Sequence, residues 1–229
     1  MSGLGSRFLK EGYKLPKPLI KVDDKEIISH VLNIFPEIYS VLFICNEEHL
    51  NNQELNLRNK LNKLHNNVQI ISIKPHKKGP IYAVLQAIKF IRLDMATIVN
   101  YCDFFCLLDF KKFKQALIAD DPDGCIFTYS GFHPHMLGST NYAYVKKNKG
   151  LVIDVQEKKP FTSEPMEEEA SSGSYYFRTG SIMRDCFIKT ISKDLNLNGE
   201  YYVSMSYKIM LEEKKKINTF KIDHFMQWG

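Results

Sequence analysis

The sequence has 229 residues, of which 44% are hydrophobic and 25% are charged. This composition excludes a disordered or fibrous chain, and the length is sufficient for one domain with a sizeable core. The net charge of +5 is too small to indicate a class of partner, and no stretch approaches the roughly 18 apolar residues of a membrane span. We expect neither a nucleic-acid nor a membrane partner.

The first half of the chain alternates between strand and helix patterns. Predicted strands are short apolar runs, and predicted helices repeat apolar residues every three to four positions. Strands are predicted at 41–44, 68–73, 97–102 and 125–129, and helices at 51–64, 80–92 and 109–118. This order predicts an α/β fold with a Rossmann-like, mostly parallel mixed sheet flanked by helices.

After residue 131 the pattern becomes richer in strands. Strands at 142–146 and 151–156 flank the turn sequence Lys147-Asn148-Lys149-Gly150, which predicts a hairpin. A strand at 174–178, helices at 181–190 and 201–213, and a strand at 216–222 follow, while the acidic stretch 164–169 is predicted to be a surface loop. We expect a single domain over 1–229, with halves at 1–130 and 131–229.

The cysteines are odd in number and mostly embedded in apolar runs, which predicts reduced thiols in a cytoplasmic protein. They are Cys45, Cys102, Cys106, Cys125 and Cys186. No basic, apolar leader is recognisable at the start of the sequence, in agreement with that expectation. The sequence leaves the oligomeric state open, a homo-oligomer included.

A glycine-rich, basic segment opens the chain as Gly3-Leu4-Gly5-Ser6-Arg7. Glycines let backbone N–H groups approach phosphate oxygens, and fixed cations stabilise charge at phosphorus. On the glycine pattern alone, a turn with a solvated basic face is an equally good interpretation. The sequence lacks a P-loop motif, and Phe8 stands where a dinucleotide-binding loop needs a third glycine.

Both ends of the sequence break off in the middle of a pattern. A phosphate-binding glycine loop normally follows a strand, and here none precedes it. The far end stops at Gln227-Trp228-Gly229. We therefore expect both ends to be clipped relative to the full domain.

Asp103 follows the predicted strand at 97–102, and the carboxyl ends of parallel strands are where open sheets bind ligands. A carboxylate there is a natural Mg²⁺ ligand, with a helix N-cap as the alternative. His133 and His135 lack the further ligands of a zinc site. We expect them in a pocket loop, with His133 as a candidate acceptor contact.

The opening segment and Pro16-Lys17-Pro18-Leu19 together resemble the signature of sugar-nucleotide nucleotidyltransferases, G-x-G-x-R followed by P-K-P-L. The resemblance covers nearly the whole chain. It implies that Arg7 and Lys17 are catalytic residues that hold the phosphates, and that Asp103 binds Mg²⁺. It further implies nucleotide contacts from the segment that runs through Gly3, Leu4, Gly5 and Ser6, and from Gly79 and Tyr101.

The same resemblance implies an acceptor-binding, β-rich second half. Its candidate contacts are Glu157, Lys158, Gly173 and Glu200, in addition to His133. Each of these residues alone would also fit an ordinary surface position. Many relatives carry a second metal-binding Asp near the chain end, where this sequence has Gln227-Trp228-Gly229, and Asp223 is out of register. The second carboxylate ligand therefore stays unassigned.

Three segments resemble a narrower branch of the family found in bacterial capsule-synthesis clusters, the CTP:phosphoglutamine cytidylyltransferases. They are Tyr101-Cys102-Asp103, Gly131-Phe132-His133-Pro134-His135 and the Gln227-Trp228-Gly229 ending. This resemblance implies CTP as the nucleotide and L-glutamine phosphate as the acceptor, although nothing in spacing or composition selects glutamine. A hexose 1-phosphate acceptor and a non-catalytic nucleotide-binding regulator stay open as alternatives.

Overall fold

The structure, a computed structural model, describes residues 1, 11–133 and 140–228. Its strands are β1 Lys21–Val22, β2 Lys25–Glu26, β3 Val41–Asn46, β4 Val68–Ile73, β5 Thr97–Asn100, β6 Phe104–Leu107, β7 Gly124–Tyr129, β8 Ala143–Asn148, β9 Leu151–Glu157, β10 Glu169–Phe177, β11 Ile217–Lys221 and β12 Asp223–Gln227. Its α-helices are α1 Ile27–Asn33, α2 Glu47–Asn51, α3 Leu57–Asn62, α4 Gly79–Gln86, α5 Phe110–Asp120, α6 Gly180–Ser192 and α7 Val203–Glu212. Short 3₁₀ turns lie at Lys17–Leu19, Gln53–Leu55 and Ile88–Phe90.

The main sheet is mixed. Its strand order is β11-β7-β10-β8-β9, and β5 pairs with a further stretch of β10. β7 and β11 run parallel, as do β3 and β4, which form a pair of their own. β10 is antiparallel to each of its three neighbours, and the pairs β6–β12, β8–β9 and β1–β2 are also antiparallel. The predicted α/β architecture with a mixed sheet flanked by helices is confirmed.

The two faces of the main sheet pack into different cores. On β10, Tyr175 and Phe177 face one core and Tyr176 faces the other, as the alternation of a strand requires. The first core takes in side chains from helices α4, α6 and α7. The second takes in side chains from α5 and from the β6–β12 pair. A third cluster holds α1 and α3 against β3.

Strand β10 changes its neighbour half-way along. Glu169 and Ala170 pair with β8, whereas Ser174–Phe177 pair with β5, and β7 runs along the opposite side. Gly173 lies at the irregularity between these stretches with φ +99°, and its carbonyl accepts a hydrogen bond from the Tyr101 N–H at 3.0 Å. A Cβ on Gly173 would lie 3.0 Å from the Tyr101 ring, so only glycine fits this place without a shift.

Three sequence predictions need correction. The helix predicted at 51–64 is divided into α2, a 3₁₀ turn and α3, because the Asn52 side chain caps the turn and Asn56 has a left-handed φ of 45°. The acidic stretch 164–169 is not wholly a surface loop, since Glu169 begins β10 and pairs with Lys147. The strands β6 and β12 were not predicted. None of the described helices has the length and apolarity needed to cross a bilayer.

Candidate active site

Lys17 and Asp103 form an ion pair at the carboxyl end of β5. Lys17 Nζ lies 2.9 Å from Asp103 Oδ2, and the two side chains are 12% and 43% exposed. Lys17 begins the 3₁₀ turn that follows Pro16, and Leu19 of that turn is buried in the third cluster. A buried anchor on the turn fixes the base of the lysine, so the structure brings two sequence-predicted site residues, 86 positions apart, into direct contact.

Asp103 lies in the bend between β5 and β6, so it does not cap a helix. The cap of the following helix is Asp109, whose carboxylate accepts from the Lys112 N–H at 2.9 Å. The N-cap interpretation of Asp103 is therefore wrong.

The end of β12 lies in register with Asp103. Gln227 pairs with Phe104, and the Trp228 N–H donates to the Asp103 carbonyl at 3.3 Å. Asp223 pairs with Leu107. Leu107 is four residues beyond Asp103, which corresponds to about 13 Å at the usual strand rise. Asp223 is therefore placed away from Asp103, as expected from its register.

The predicted acceptor-side pair, Glu157 and Lys158, stands where β9 ends. The Glu157 carboxylate accepts a hydrogen bond from the Ser204 hydroxyl at the start of α7. Lys158 Nζ donates to the Tyr202 hydroxyl at 2.7 Å and lies over the ring of the same tyrosine. Lys158 has a left-handed φ of 54°, which is costly for a residue other than glycine and needs support from its surroundings.

Burial raises the pKa of the Glu157 carboxyl. The hydrogen bond from Ser204 and the charge of Lys158 oppose this increase, and the nearby Glu200 carboxylate reinforces it. Glu200 lies just before α7, so a second acidic group faces the region of Glu157. Glu157 and Glu200 together form a partly buried acidic site.

Tyr101, a predicted nucleotide contact, lies beside the predicted acceptor contacts Gly173 and Glu157. Its ring packs edge-on against Tyr175, with centroids 6.0 Å apart, and rests against Gly173. Its hydroxyl is buried and makes no hydrogen bond of good geometry with the described residues, and the Val203 backbone N–H is the polar group that faces it. Burial raises the pKa of this phenol well above its ordinary value, with smaller contributions from Tyr175 and Glu157. A buried hydroxyl with hydrogen-bonding capacity to spare beside a carboxylate is suited to meet a polar ligand or a water molecule.

Gly79, the first residue of α4, packs against the backbone of the residues that precede α7. It has φ +82°, and a Cβ at this place would lie 2.6 Å from the Tyr201 backbone nitrogen. The Tyr201 N–H donates to the Lys78 carbonyl at 3.0 Å, and the Ile81 N–H donates to the Tyr201 carbonyl at 3.1 Å. The glycine is therefore required for a close contact between two backbone segments, a reason that the sequence did not reveal.

His133 lies among the aromatic side chains of the second core. Its ring is 4.5 Å from that of Tyr129 and 5.7 Å from that of Phe225, and burial lowers its pKa. The predicted loop residues Gly3, Leu4, Gly5, Ser6 and Arg7, like His135, lie outside the described residues. Their roles stay predictions.

Tyr202 and Ser204 were not predicted from the sequence as site residues. Their partners, Lys158 and Glu157, are 44 and 47 residues away, and no local pattern signals such contacts. The one available signal was that Tyr202 and Ser204 place two hydroxyl groups in the first turn of the helix predicted at 201–213.

The comparisons with known proteins decide the family. The sequence profile of the family described as Nucleotidyl transferase matches residues 1–217. The chain belongs to this family. Over 225 residues the chain is 26% identical to the bifunctional protein GlmU of Clostridioides difficile (strain 630), and the match covers 96% of the present chain and 45% of that protein. The chain thus spans less than half the length of this curated relative.

Solved structures agree on the fold. A nucleoside-diphosphate-sugar pyrophosphorylase from Vibrio cholerae RC9 superposes with a TM-score of 0.74 at 20% identity, covering 97% of this chain and 90% of that one. A putative glucose-1-phosphate thymidylyltransferase from Bacillus anthracis gives 0.73 at 17% identity, covering 98% and 86%. A UDP-glucose pyrophosphorylase complexed with UDP-glucose gives 0.70 at 18% identity, covering 96% and 88%. At these identities the likeness shows the fold alone.

A magnesium ion of the kind this family implies fits a single carboxylate at Asp103. Among the residues that the structure describes, no three His, Cys, Asp or Glu side chains cluster into a metal site. Mg²⁺ needs no such cage, because it commonly takes one or two carboxylates and completes its shell with phosphate oxygens and water. Asp103 would hold such an ion, which would neutralise phosphate charge when bound.

We predict that Gly79→Ala destabilises the fold more than Gly150→Ala. Both glycines have φ near +80°, so both substitutions carry the same backbone strain, but only Gly79 would press a Cβ into another backbone. The added overpacking should cost about 1–3 kcal/mol beyond the Gly150 variant. Urea unfolding followed by circular dichroism measures the difference, and equal losses in the two variants would contradict the contact.

Proposed function

We propose that the chain transfers a nucleotidyl group from an NTP to a phosphorylated small-molecule acceptor and releases pyrophosphate. The observation that carries the proposal is the contact between Lys17 and Asp103 at the carboxyl end of β5, in a chain of the Nucleotidyl transferase family. A cation for the phosphates and a carboxylate for a metal are the two charged groups that this chemistry needs side by side.

In the proposed reaction an acceptor phosphate oxygen attacks the α-phosphorus of the NTP. The new phosphorus–oxygen bond forms as the bond to the bridging oxygen breaks, and pyrophosphate leaves with that electron pair. Lys17 moves from Asp103 to the α-phosphate and stabilises the charge that develops there. Arg7 and the loop Gly3–Ser6 would hold the remaining phosphates, with Gly79 beside the base.

The acceptor would lie against the second half of the chain. Lys158 neutralises the acceptor phosphate, and Glu157, Glu200 and Gly173 line its other side. The chemistry needs no covalent enzyme intermediate, so catalysis consists of positioning and charge stabilisation. We propose Mg²⁺ as the accompanying ion and the cytoplasm as the location.

The specific reaction we favour joins CTP to L-glutamine phosphate and yields CDP-L-glutamine for modification of a capsular polysaccharide. Its support is the resemblance of residues 101–103, 131–135 and 227–229 to the capsule-cluster branch. A hexose 1-phosphate acceptor is the second candidate, favoured by the activities named for the structural neighbours, UDP-glucose pyrophosphorylase and glucose-1-phosphate thymidylyltransferase. A nucleotide-binding regulator without catalysis would not need Lys17 and Asp103 together.

We predict pyrophosphate release when the four NTPs are screened, in the presence of Mg²⁺, against L-glutamine phosphate and a panel of hexose 1-phosphates. CTP with L-glutamine phosphate should give the highest kcat/KM. A higher value with a hexose 1-phosphate would select the second candidate. Nucleotide binding by calorimetry, without pyrophosphate release from any pair, would overturn the enzymatic proposal.

We predict that Asp103→Asn folds normally but loses most turnover, because an amide is a poor Mg²⁺ ligand and carries no charge. Asp223→Asn provides the control, since this carboxylate lies four residues out of register and should be dispensable. Turnover is measured as pyrophosphate release across a Mg²⁺ titration. Near-normal turnover of Asp103→Asn at saturating Mg²⁺ would refute the assignment.

We predict that Lys17→Met lowers turnover far more than it weakens NTP binding, because its contact with the α-phosphate is strongest in the transition state. A loss of at least about tenfold corresponds to about 1.4 kcal/mol of barrier. Single-turnover rates and calorimetric affinities separate the two effects, with exposed Lys25→Met as the control. Equal losses in rate and affinity would make Lys17 a ground-state binder only.

A further inference from the structure

Residues 200–204, which we call the connecting segment, contact both halves of the proposed site. On one side the backbone of Tyr201 exchanges two hydrogen bonds with the loop that begins α4, one with the Lys78 carbonyl and one with the Ile81 N–H. Gly79 permits this approach because it has no side chain. The segment is thereby fixed to the loop proposed to lie beside the nucleotide.

On the other side, two side chains of the connecting segment hold the acceptor-side pair. The Tyr202 hydroxyl accepts from Lys158 Nζ at 2.7 Å, with the ammonium 4.5 Å from the ring centroid. The Ser204 hydroxyl donates to the Glu157 carboxylate. Hydrogen bonds to charged groups and contacts of a cation with an aromatic ring both restrict where a charge can lie.

The connecting segment has little freedom to move. It runs into α7, whose side chains Val203, Tyr207 and Met210 are fully buried. At its start, Glu200 exchanges two backbone hydrogen bonds with Leu197, and the Tyr201 hydroxyl donates to the Asp194 carboxylate at 2.7 Å. A segment fixed in this way transmits the position of one loop to the other.

We propose that Tyr202 and Ser204 are positioning residues that hold Lys158 and Glu157 at a fixed place relative to the nucleotide loop. This inference rests on the proposed function, because it assigns Lys158 and Glu157 to the acceptor. Both positioning residues act on groups that the proposed function assigns to the acceptor. Their loss should therefore impair use of the acceptor and leave nucleotide affinity unchanged.

The kinetic test uses Ser204→Ala and Tyr202→Phe, each with a matched control from the same helix. Ser206→Ala removes a buried hydroxyl that donates to the Val203 carbonyl, and Tyr207→Phe removes a buried hydroxyl that donates to the Tyr176 carbonyl. With CTP and L-glutamine phosphate, or glucose 1-phosphate if the enzyme prefers it, we expect the two test variants to lose about tenfold in kcat/KM for the acceptor. Their CTP affinity by calorimetry should stay within about twofold of wild type.

A second measurement does not depend on activity. Because the hydrogen bond from Ser204 favours the ionised Glu157 against burial and the charge of Glu200, its removal should raise the pKa of Glu157, with Lys158 as the remaining opposing charge. The phenols of Tyr175 and Tyr101 also face Glu157, but they are uncharged while this carboxyl titrates. Carboxyl ¹³C NMR of glutamate-labelled protein, with Glu157→Gln for assignment, follows this titration. Protonation of Glu157 at low pH should lower kcat/KM for the acceptor. This low-pH decrease should therefore move to higher pH in Ser204→Ala and not in Ser206→Ala.

The two proposals fail in different ways. A wild-type protein that releases no pyrophosphate with any acceptor refutes the proposed function, while the Glu157 titration still tests the hydrogen bond from Ser204. An active wild type whose test variants match their controls in acceptor kcat/KM refutes the positioning role. An unchanged Glu157 titration in Ser204→Ala refutes it as well, and so does a loss of CTP affinity equal to the loss in acceptor kcat/KM.

Discussion

The change of neighbour along β10 at Gly173 is the constraint on which the site depends. One strand must pair with β8 in its first part and with β5 in its last part, and a Cβ at Gly173 between them would press on the rings of Tyr101 and Phe104. This places Tyr101, the residue after β5, near Glu157 at the end of the β8–β9 hairpin. A straight, regular β10 would hold one neighbour throughout and would keep the proposed nucleotide and acceptor groups apart.

The contacts that complete the site come from turns and helix starts around this sheet. The turn at Lys17–Leu19 delivers a cation to Asp103, and the connecting segment delivers Tyr202 and Ser204 to Lys158 and Glu157. Each is anchored by buried neighbours, Leu19 in one case and Val203 in the other. The charged groups are thus held by rigid elements although they lie at the edges of loops.

Local patterns predicted the parts of the fold that local residues decide. The strands at 68–73 and 125–129 and the hairpin around Gly150 follow from short apolar runs and turn residues, and they are present in the structure. The pairing of β6 with β12 joins residues more than 110 positions apart. The break between α2 and α3 depends on the side-chain cap of Asn52 and on the left-handed backbone of Asn56. Periodicity signals neither of these features.

The site was predictable only as far as its motif extends. The resemblance selected Lys17, Asp103, Glu157 and Lys158, but it could not give their partners, because such partners arise from the packing of distant segments. The glycine loop with Arg7 lies outside the described residues, and its phosphate contacts stay a prediction.

The ion pair of Lys17 with Asp103 has a consequence for how a charged ligand would enter. The two charges neutralise each other now, and each could exchange its present partner for a new one. The Lys17 ammonium would then pair with a phosphate and the Asp103 carboxylate with a cation. Binding would then resemble ion exchange, because each group gains a new partner as it loses the old one. Neither group would have to lose water without gaining an opposite charge. A protein arranged in this way would take up a nucleotide together with its metal ion, because the nucleotide alone would leave Asp103 without a partner and the metal ion alone would leave Lys17 without its carboxylate.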